Sequence, residues 1–496
     1  MDLNRLAALI CFPSFFKRSK NINTKIEKDI LTSVSENVEF DFSLPTTPQE
    51  IKQRKKRYGV CLNCGYPLSD KSWCQSCEGQ KLQQRFNNWS SGNQFVDNFI
   101  QSSQLKPLNQ NAYLSWIPYD DLIQVRYMAN GGFSAVYSAL WDHFETGQVV
   151  DVVLKRLHNG RTSDPEFLRE QIAMFIYAAS RKSSVIRCYG MTLHPTEGYM
   201  LVMERGEEGD LRSYLRENHS ALLWSDKVHM IRDIAKSLEV LHSREFVHGD
   251  LHTGNILKKL PKDSSSSTIN RLRKFIRKGS PNYRERECIL DLSLCYNNNN
   301  LEIEELYGVM PYVAPEVFNT GYYTKASDVY SFGLVMWEIA VGQTPFNDYN
   351  FDENLVSDIC KDVRPPIDRR SIPQFYADLI RRCWDPEPSN RPSARIIREI
   401  IDGWVLSTTN PKAKLENESK EIKTELKKCN TISKKRYQNY IRQSKMTDIA
   451  SNTLTNTTEV FTSQNLSPYI TVDEKSLSST MKNSSSISSN SYQHYY

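Results

Sequence analysis

Apolar positions recur with regular spacing only between residues 121 and 406. Early in this stretch, the apolar runs at 122–127, 135–140 and 149–157 predict strands. A helix is predicted to begin at Asp164-Pro165-Glu166, which combines a capping residue, a proline in the first turn and an acid near the positive helix end. The pattern therefore opens with several strands and one helix.

The remainder of this stretch is mostly helical in its spacing. One predicted helix carries an apolar stripe at Val228, Ile231, Ala235, Leu238 and Leu241. Residues 329–341 are apolar nearly all round, which predicts a buried helix that Gly342 can end. Strands with one helix, followed by a helical half, predict an α+β fold of two lobes with a cleft between them.

Four further segments flank this predicted domain. Residues 1–56 are predicted to be irregular, 57–80 contain a cysteine cluster, and 81–120 are predicted to form a linker that lies against the next domain. Residues 407–496 are rich in Ser, Thr, Asn and Lys, and almost lack apolar runs. Such a segment buries too little surface to offset its ordering entropy, so we expect a disordered tail.

Composition and charge exclude several classes of protein. The 496 residues contain 63 Lys and Arg against 58 Asp and Glu, a net charge of +5, which is too even for a nucleic-acid-binding polycation. The basic residues at 425–445 lie in the tail and are interpreted as solvated charge, so we expect no specific nucleic-acid partner. No apolar stretch reaches the roughly 18 residues of a membrane-spanning helix, so no membrane association is expected.

The eleven cysteines are too sparse for a disulfide scaffold and indicate a reducing, intracellular setting, with the cytoplasm favoured. Four of them form two CxxC pairs separated by nine residues: Cys61, Cys64, Cys74 and Cys77. This spacing matches a tetrahedral Cys₄ zinc site, whose role would be structural because four thiolates fill the coordination sphere. Redox-active or idle thiols are the alternative.

A lysine and a glycine turn carry the first candidate chemistry. The turn between Met128 and Tyr137 contains glycines that let backbone N–H groups approach a phosphate, although such a turn alone is weak evidence. Lys155 ends the apolar run Val152-Val-Leu-Lys155, where a buried ammonium must pair or bind an anion. Glu170, on the capped helix, is its natural partner.

The remaining candidate groups follow in order along the chain. Met203-Glu204 precedes a glycine-containing connector between the lobes, and the run from Val247 to Leu257 carries Asp250 and Asn255 on a tight loop. The loop offers one base and one metal ligand, and Asp291 adds a carboxylate at the end of a later apolar run. Three further motifs complete the series: Ala314-Pro-Glu316, Asp328-Val-Tyr-Ser-Phe-Gly333 and Cys383-Trp-Asp-Pro-Glu-Pro-Ser-Asn-Arg-Pro392.

This ordered set resembles the eukaryotic protein kinases, in particular their tyrosine-kinase-like group, over roughly residues 122–405. The resemblance implies a bilobal kinase fold, with a small β-rich N-lobe carrying one helix and a larger helical C-lobe. It also implies transfer of the γ-phosphate of Mg-ATP to a protein hydroxyl, for which the enzyme mainly positions both partners and neutralises phosphate charge. Serine or threonine is favoured over tyrosine as the acceptor.

Each polar motif position then carries an implied role. Lys155 would bind the α- and β-phosphates, Glu170 would pair with Lys155, and Asp250 would accept or orient the substrate hydroxyl. Asn255 and Asp291 would ligate Mg²⁺, which prefers hard oxygen ligands. The implied nucleotide-binding residues are Ala129, Gly131, Gly132, Ser134, Val136, Val153, Lys155, Met203, Glu204 and Leu257.

Other motif positions have structural or adenine-contacting roles in the resemblance. Val136 and Leu257 would cover the adenine from above and below, while Met203 resembles the gatekeeper and Glu204 would begin the hinge. A buried ion pair between Glu316 and Arg391, and a brace of the catalytic loop by Asp328, are also implied.

Several departures from the kinase pattern favour the alternative, a pseudokinase scaffold that binds nucleotide or protein partners without catalysis. Ala129 and Ser134 replace two loop glycines, Gly249 replaces the arginine before the catalytic Asp, and Leu292-Ser293 replaces Phe-Gly after the metal position. Retention of all five catalytic and metal positions favours an active enzyme.

Two features bear on regulation and partners. Gly249 replaces the arginine that normally meets an activation-segment phosphate, so activity is expected not to need that phosphate. An insertion at about 258–287 is basic and serine-rich. It is either a solvated loop or an arm for an acidic partner or for regulation, and the zinc module is a second candidate for partner docking.

Overall fold

The computed structural model describes most of the chain between residues 47 and 409 and two parts of the tail. The described residues are 47–130, 135–143, 147–156, 186–206, 209–243, 245–259, 287–290, 296–297, 307–409, 420–432, 435 and 463–470. The helix predicted to begin at Asp164 and most of the insertion lie outside these ranges. Within them, no helix has the length and apolar character needed to cross a membrane.

A six-stranded sheet forms the core of the first lobe. Its strands are β1 Ser115–Trp116, β2 Leu122–Asn130, β3 Ala135–His143, β4 Gln148–Arg156, β5 Cys188–His194 and β6 Gly198–Glu204, in the spatial order β1-β5-β6-β4-β3-β2. All neighbours are antiparallel except β1 and β5, which are parallel. In β4, Val152 and Leu154 are fully buried on one face, whereas Val153 and Lys155 are half-buried on the other, as strand alternation requires.

Residues predicted to be a linker are instead an integral part of this lobe. Helix α3 (Gln94–Leu105) begins at Asn93, whose side chain accepts hydrogen bonds from two backbone N–H groups of the first turn. Its Phe99 and Ile100 are buried in the same cluster as Met191 and Met203 of the sheet. Residues 81–120 therefore lie against the next domain as expected, but as a packed helix and an added strand.

The cysteine segment and the residues before it also form helices. Helix α1 (Pro48–Tyr58) begins at a capping box of Thr47 and Glu50, so the prediction of an irregular segment is wrong for residues 48–56. Helix α2 (Gln75–Gln83) packs closely against the end of α3. The lack of a side chain at Gly79 permits this approach, since a Cβ there would overlap the Leu105 carbonyl oxygen.

The second lobe is helical and contains the larger apolar core. Its helices are α4 Leu211–Asn218, α5 Trp224–His242, α6 Pro315–Thr320, α7 Lys325–Val341, α8 Glu353–Cys360, α9 Gln374–Cys383 and α10 Ala394–Thr409. Helix α7 is buried over nearly its whole length and ends at Gly342 in the left-handed region, as the sequence predicts. The Tyr376 hydroxyl donates a hydrogen bond to the Met336 carbonyl 2.9 Å away, which joins α9 to α7 in this core.

Short antiparallel pairs lie between the two lobes and around the loops. They are β7 Phe246–Val247 with β10 Tyr296–Asn297, β8 Ile256–Lys259 with β9 Glu287–Leu290, and β11 Tyr307–Gly308 with β12 Gln464–Asn465. The predicted α+β architecture, with a small β-rich lobe and a larger helical lobe, is confirmed.

The prediction of a disordered tail is wrong for two segments of residues 407–496. Residues 420–432 form helix α11, which buries Leu426 and Cys429 in the second-lobe core. Its Asn430 and Glu425 side chains accept hydrogen bonds of 2.8 Å from the first backbone N–H groups of α5 and α9 respectively. These bonds pair two N–H groups that lack a partner within their own helices, and they help to hold α11 at this position. Residues 463–470 form the second ordered segment.

We predict that Gly190→Ala separates β1 from the sheet. A Cβ at Gly190 would overlap the Ser115 carbonyl oxygen, so the free energy of unfolding should fall by about 1–3 kcal/mol. Chemical denaturation followed by fluorescence measures this change. The control is Gly403→Ala in α10, where a Cβ meets no neighbour and the free energy of unfolding should rise slightly. Equal stability of Gly190→Ala and the parent protein would contradict this packing.

Candidate active site

One face of the sheet gathers the predicted nucleotide-binding residues of the first lobe. Directly opposite residues of neighbouring strands share a face, and the registers pair Val136 with Lys155 and Val153 with Met203. Ala129 is in turn opposite Val136. Val136, Lys155, Val153 and Met203 therefore line one surface, with the lysine among apolar side chains.

The connector between the lobes crosses directly over Leu257. A Cβ on Gly206 would lie 3.1 Å from the Leu257 Cβ, so the chain passes within contact distance of that side chain. Asp210 and Leu257 form an isolated antiparallel bridge, and the Lys258 N–H donates a hydrogen bond to the Gly209 carbonyl oxygen at 2.9 Å. The structure thus brings Leu257 next to the segment that follows Met203 and Glu204.

The loop after β7 fixes a buried carboxylate beside an amide. Asp250 is 5 % exposed, and Asn255 Nδ2 donates to both its Oδ2 and its backbone carbonyl oxygen, each at 2.9 Å. Because the amide nitrogen faces Asp250, the amide oxygen of Asn255 is the atom turned away from the carboxylate. That oxygen is a suitable ligand for a hard cation.

His252 adds a second donor toward the same carboxylate. Its Nδ1 accepts a hydrogen bond from the Gly254 N–H at 3.0 Å, so the ring proton lies on Nε2, which is 3.5 Å from Asp250 Oδ2. Burial alone would raise the pKa of Asp250, but its electrostatic interaction with His252 and the hydrogen bonds from His252 and Ser463 outweigh burial and lower this pKa. Asp250 is therefore ionised at neutral pH.

Asp328, in the first turn of α7, braces this loop as expected. Its two carboxylate oxygens accept hydrogen bonds from the backbone N–H groups of His248 (2.7 Å) and Gly249 (2.9 Å). His242 Nε2 lies 2.8 Å from the same carboxylate. Gly249 has a φ of 73°, a conformation that glycine adopts without strain, and it carries no cationic side chain toward the activation segment.

A second buried carboxylate under the loop was missed by sequence reasoning. Glu338 accepts hydrogen bonds from the Thr253 hydroxyl (2.8 Å) and the Tyr312 hydroxyl (2.5 Å), and lies 3.9 Å from Arg212 Nε. Burial raises the pKa of Glu338 despite the Arg212 charge. Its position inside an otherwise apolar helix was the only signal, since a polar residue buried there must have partners.

The predicted ion pair between Glu316 and Arg391 is confirmed. The guanidinium donates two parallel hydrogen bonds, of 2.6 and 2.8 Å, to the two carboxylate oxygens. It also donates to the Ala326 and Asp385 carbonyl oxygens, so this fully buried side chain is well satisfied.

The structure also brings a tail residue into the site. The Ser463 hydroxyl donates a hydrogen bond to Asp250 Oδ2, and Ser463 is buried. Sequence reasoning missed this residue because it lies in a segment of disorder-like composition. The available signal was a small apolar group at helical spacing, Leu466, Tyr469 and Ile470, in a tail that otherwise lacks such groups.

Some predicted site residues lie outside the described part of the chain. These are Gly131, Gly132, Ser134, Glu170 and Asp291. Their roles stay predictions.

The four predicted zinc ligands come together. All four sulfur atoms lie within 4.8 Å of one another, with Cys61 and Cys77 at 3.7 Å and Cys64 and Cys74 at 3.5 Å. A tetrahedral zinc site with bonds of about 2.3 Å has sulfur–sulfur edges of about 3.8 Å. The cluster therefore has the dimensions of a Cys₄ metal centre.

We predict that Asp328→Asn destabilises the loop. The amide that replaces one oxygen would face a backbone N–H donor in a buried site, so the free energy of unfolding should fall by about 1–3 kcal/mol. Thermal denaturation measures the change. Asp352→Asn is the control, because the Asp352 side chain accepts only one backbone N–H bond, an exposed one at the start of α8, a role that Asn fills equally well. Equal losses in the two variants would contradict the brace.

Comparison with known proteins agrees with this geometry. Residues 122–401 match the family model described as protein tyrosine and serine/threonine kinase. The "Probable serine/threonine-protein kinase roco7" of Dictyostelium discoideum is 27% identical over 300 residues, covering 59% of this chain and 10% of that protein. Human "Mitogen-activated protein kinase kinase kinase 10" is 27% identical over 287 residues, covering 56% and 27% respectively.

"Tyrosine protein-kinase src-1" of Caenorhabditis elegans is 26% identical over 310 residues, covering 61% of this chain and 52% of that protein. The match thus spans from 10% to 52% of the length of these relatives. The family match covers more than half of this chain and includes the braced carboxylate loop, so the chain belongs to the protein tyrosine and serine/threonine kinase family.

Proposed function

We propose that this chain is an active protein kinase that transfers the γ-phosphate of Mg-ATP to a protein hydroxyl. The observation that carries the proposal is the carboxylate of Asp250. It is buried, ionised at neutral pH and hydrogen-bonded to Asn255, on a loop braced by Asp328. A fixed anion of this kind can accept the proton of an attacking hydroxyl.

The nucleotide would bind between the lobes. Val136 would cover the adenine on the sheet side and Leu257 on the helical side, with Met203 and Glu204 at the start of the connector. Lys155 shares a face with Val136, so its ammonium is positioned toward the phosphates of a nucleotide bound against that face. Glu170 is proposed to pair with this lysine.

The divalent cation would be ligated by the amide oxygen of Asn255 and by Asp291. The donor set fits Mg²⁺, since the Asn255 amide oxygen is turned away from Asp250 and both ligands are hard oxygens. When bound, the ion supplies charge neutralisation on the phosphate oxygens. Asn255 also orients Asp250, so one residue would serve both the base and the cation.

The acceptor is proposed to be serine or threonine. The Ser463 hydroxyl reaches Asp250 while the next two residues pair with β11, so a short side chain spans the distance from a strand-paired backbone to the base. A tyrosine hydroxyl, at the far end of a ring, would need the backbone farther away.

The alternative is a pseudokinase scaffold, and an activity measurement separates the two. We predict that the purified chain labels a generic protein acceptor from γ-labelled ATP, and that Asp250→Asn lowers kcat about 10²–10⁴-fold by removing the proton acceptor. Phosphoamino-acid analysis of the product identifies the hydroxyl. Asp378→Asn, an exposed substitution on α9, should leave kcat unchanged. No transfer by the parent protein would favour the scaffold.

We also propose that the cysteine cluster binds one structural zinc ion. The backbone N–H groups of Cys64 and Asn63 lower the pKa of Cys61 to about 6, whereas hydrogen bonding with Cys64 and Cys74 raises the pKa of Cys77 to about 12. Four sulfurs this close cannot all ionise without a cation, and zinc removes that repulsion.

The zinc module would support the first lobe through α3. Trp73 Nε1 and Gln75 Nε2 donate hydrogen bonds of 2.8 Å to the Pro107 and Lys106 carbonyl oxygens, directly after α3. Because α3 packs on the sheet beside Met203, loss of the metal would loosen this side of the cleft.

We predict one zinc per chain by elemental analysis, and its loss in Cys64→Ser together with a lower melting temperature. The metal contributes folding free energy to a unit too small for its own core. Cys360→Ser, which changes an exposed cysteine away from the cluster, should retain the metal. Zinc-free parent protein, or a pair of disulfides in its intact mass, would contradict the proposal.

The cellular setting proposed for this activity is intracellular, with the cytoplasm favoured, because a thiolate metal site persists in a reducing compartment. Protein partners are proposed at the zinc module or at the basic insertion of about 258–287. Residues 260–286 of that insertion lie outside the described part of the chain.

A further inference from the structure

The tail segment 463–470 occupies the acceptor side of the Asp250 carboxylate. We propose that Ser463 is a phosphorylation site of this chain, modified by its own active site within the same molecule. The inference rests on the proposed kinase activity, and it names one substrate for it.

The serine hydroxyl is hydrogen-bonded to the proposed base. Ser463 Oγ donates to Asp250 Oδ2, the oxygen that Asn255 Nδ2 also contacts at 2.9 Å. Both Ser463 and Asp250 are buried. A hydroxyl that donates a hydrogen bond to a carboxylate is in the arrangement that general-base catalysis requires.

The backbone next to Ser463 is fixed by strand pairing. Asn465 lies opposite Tyr307 and Gln464 opposite Gly308, in antiparallel register. The segment thus adds a short strand to β11, a common way for a protein to bind an extended peptide. Main-chain pairing sets the position of Ser463 without depending on its side chain.

Leu466 anchors the segment in the second lobe. It is fully buried and belongs to the core cluster that includes Val313 and Tyr323. A Cβ on Gly308 would lie 3.2 Å from Leu466 Cδ1 and would overlap the Tyr323 hydroxyl, so the glycine leaves the room that Leu466 fills. A pocket that takes one apolar side chain three residues after the serine selects this register.

Ile470 provides a second anchor beyond the short helical turn Ser467–Tyr469. A Cβ on Gly321, at the end of α6, would lie 3.7 Å from Ile470 Cδ1. The serine is therefore held by strand pairing and by two apolar contacts on its C-terminal side. This arrangement is that of a bound peptide.

The proposed step is a phosphoryl transfer. Ser463 Oγ forms a bond to the γ-phosphorus of ATP as the bond from that phosphorus to the bridging oxygen of ADP breaks. The Oγ proton passes to Asp250 Oδ2 and is then lost to solvent. The products are ADP and phosphoserine 463, and no other reactant is needed.

Modification would clear the site. A phosphoserine carries about −1.5 to −2 charges at neutral pH and would lie against the acidic side chain of Asp250, so repulsion favours release of the segment. Before modification, the segment covers the base that another protein substrate must reach. Transfer to an added substrate should therefore begin with a lag that matches the modification of Ser463.

The test uses the full chain, dephosphorylated and then incubated with Mg-ATP and a generic protein acceptor. Peptide mass mapping follows phosphate on Ser463, and label counting follows the acceptor. We expect Ser463 modification at a rate that does not change over a 100-fold dilution of the protein, and a lag in acceptor labelling. A rate that falls in proportion to dilution would overturn intramolecular transfer.

Variants identify the contacts responsible. Ser463→Ala should lose this phosphate, whereas Ser467→Ala, in the same segment but away from Asp250, should retain modification of Ser463. Leu466→Ala should slow Ser463 modification at least about tenfold, since deleting a buried leucine weakens docking of the segment. The same loss of docking leaves Asp250 uncovered without modification, so the lag should be shorter in this variant. Unchanged modification in Leu466→Ala would overturn the docked geometry.

The outcomes separate this inference from the proposed function. If the acceptor is labelled and Ser463 never is, the inference fails and the kinase activity stands. If neither is labelled, both fail. Phosphate on Ser463 in an Asp250→Asn preparation would assign the modification to another enzyme and overturn the inference.

Discussion

The active site depends on one buried acceptor, the carboxylate of Asp328. Its oxygens satisfy two consecutive backbone N–H groups of the catalytic loop and contact His242. Hydrogen bonds to a charged group contribute about 1.5–3 kcal/mol each. Because α7 carries this carboxylate in its first turn, a helix buried over nearly its whole length holds the loop that carries Asp250.

Glu338, about three turns further along the same helix, holds the loop at Thr253 and also accepts a hydrogen bond from Tyr312. The loop is thus hydrogen-bonded to two carboxylates of the same helix, α7. Asp250, the proposed base, lies between these two supports, and Asn255, the proposed cation ligand, follows two residues after Thr253. Such rigidity suits a reaction in which positioning contributes most of the catalysis.

Short linear motifs explain why much of this site could be predicted from the sequence. Asp250 and Asn255 lie on one loop, and Glu316 and Arg391 each lie within a distinctive short sequence motif. Glu338 and Ser463 have no such local context. Arg212 and Glu338 are distant in sequence, and Ser463 differs from neighbouring serines only through the register that Leu466 imposes. Composition averages over a segment, so it cannot reveal a few residues that bind elsewhere.

The average composition of residues 81–120 was misleading for the same reason. Their polar composition suggested a linker. The capped helix α3 nevertheless buries Phe99 and Ile100, and β1 lies in close backbone contact with Gly190. These contacts are enough to make the segment part of the first lobe. The fold boundary therefore lies upstream of residue 122, where the family match begins. A fragment that begins at the family boundary would expose the hydrogen-bonding edge of β5 and the apolar surface under α3. An exposed strand edge of this kind can pair with strands of other molecules, so such a fragment would tend to aggregate.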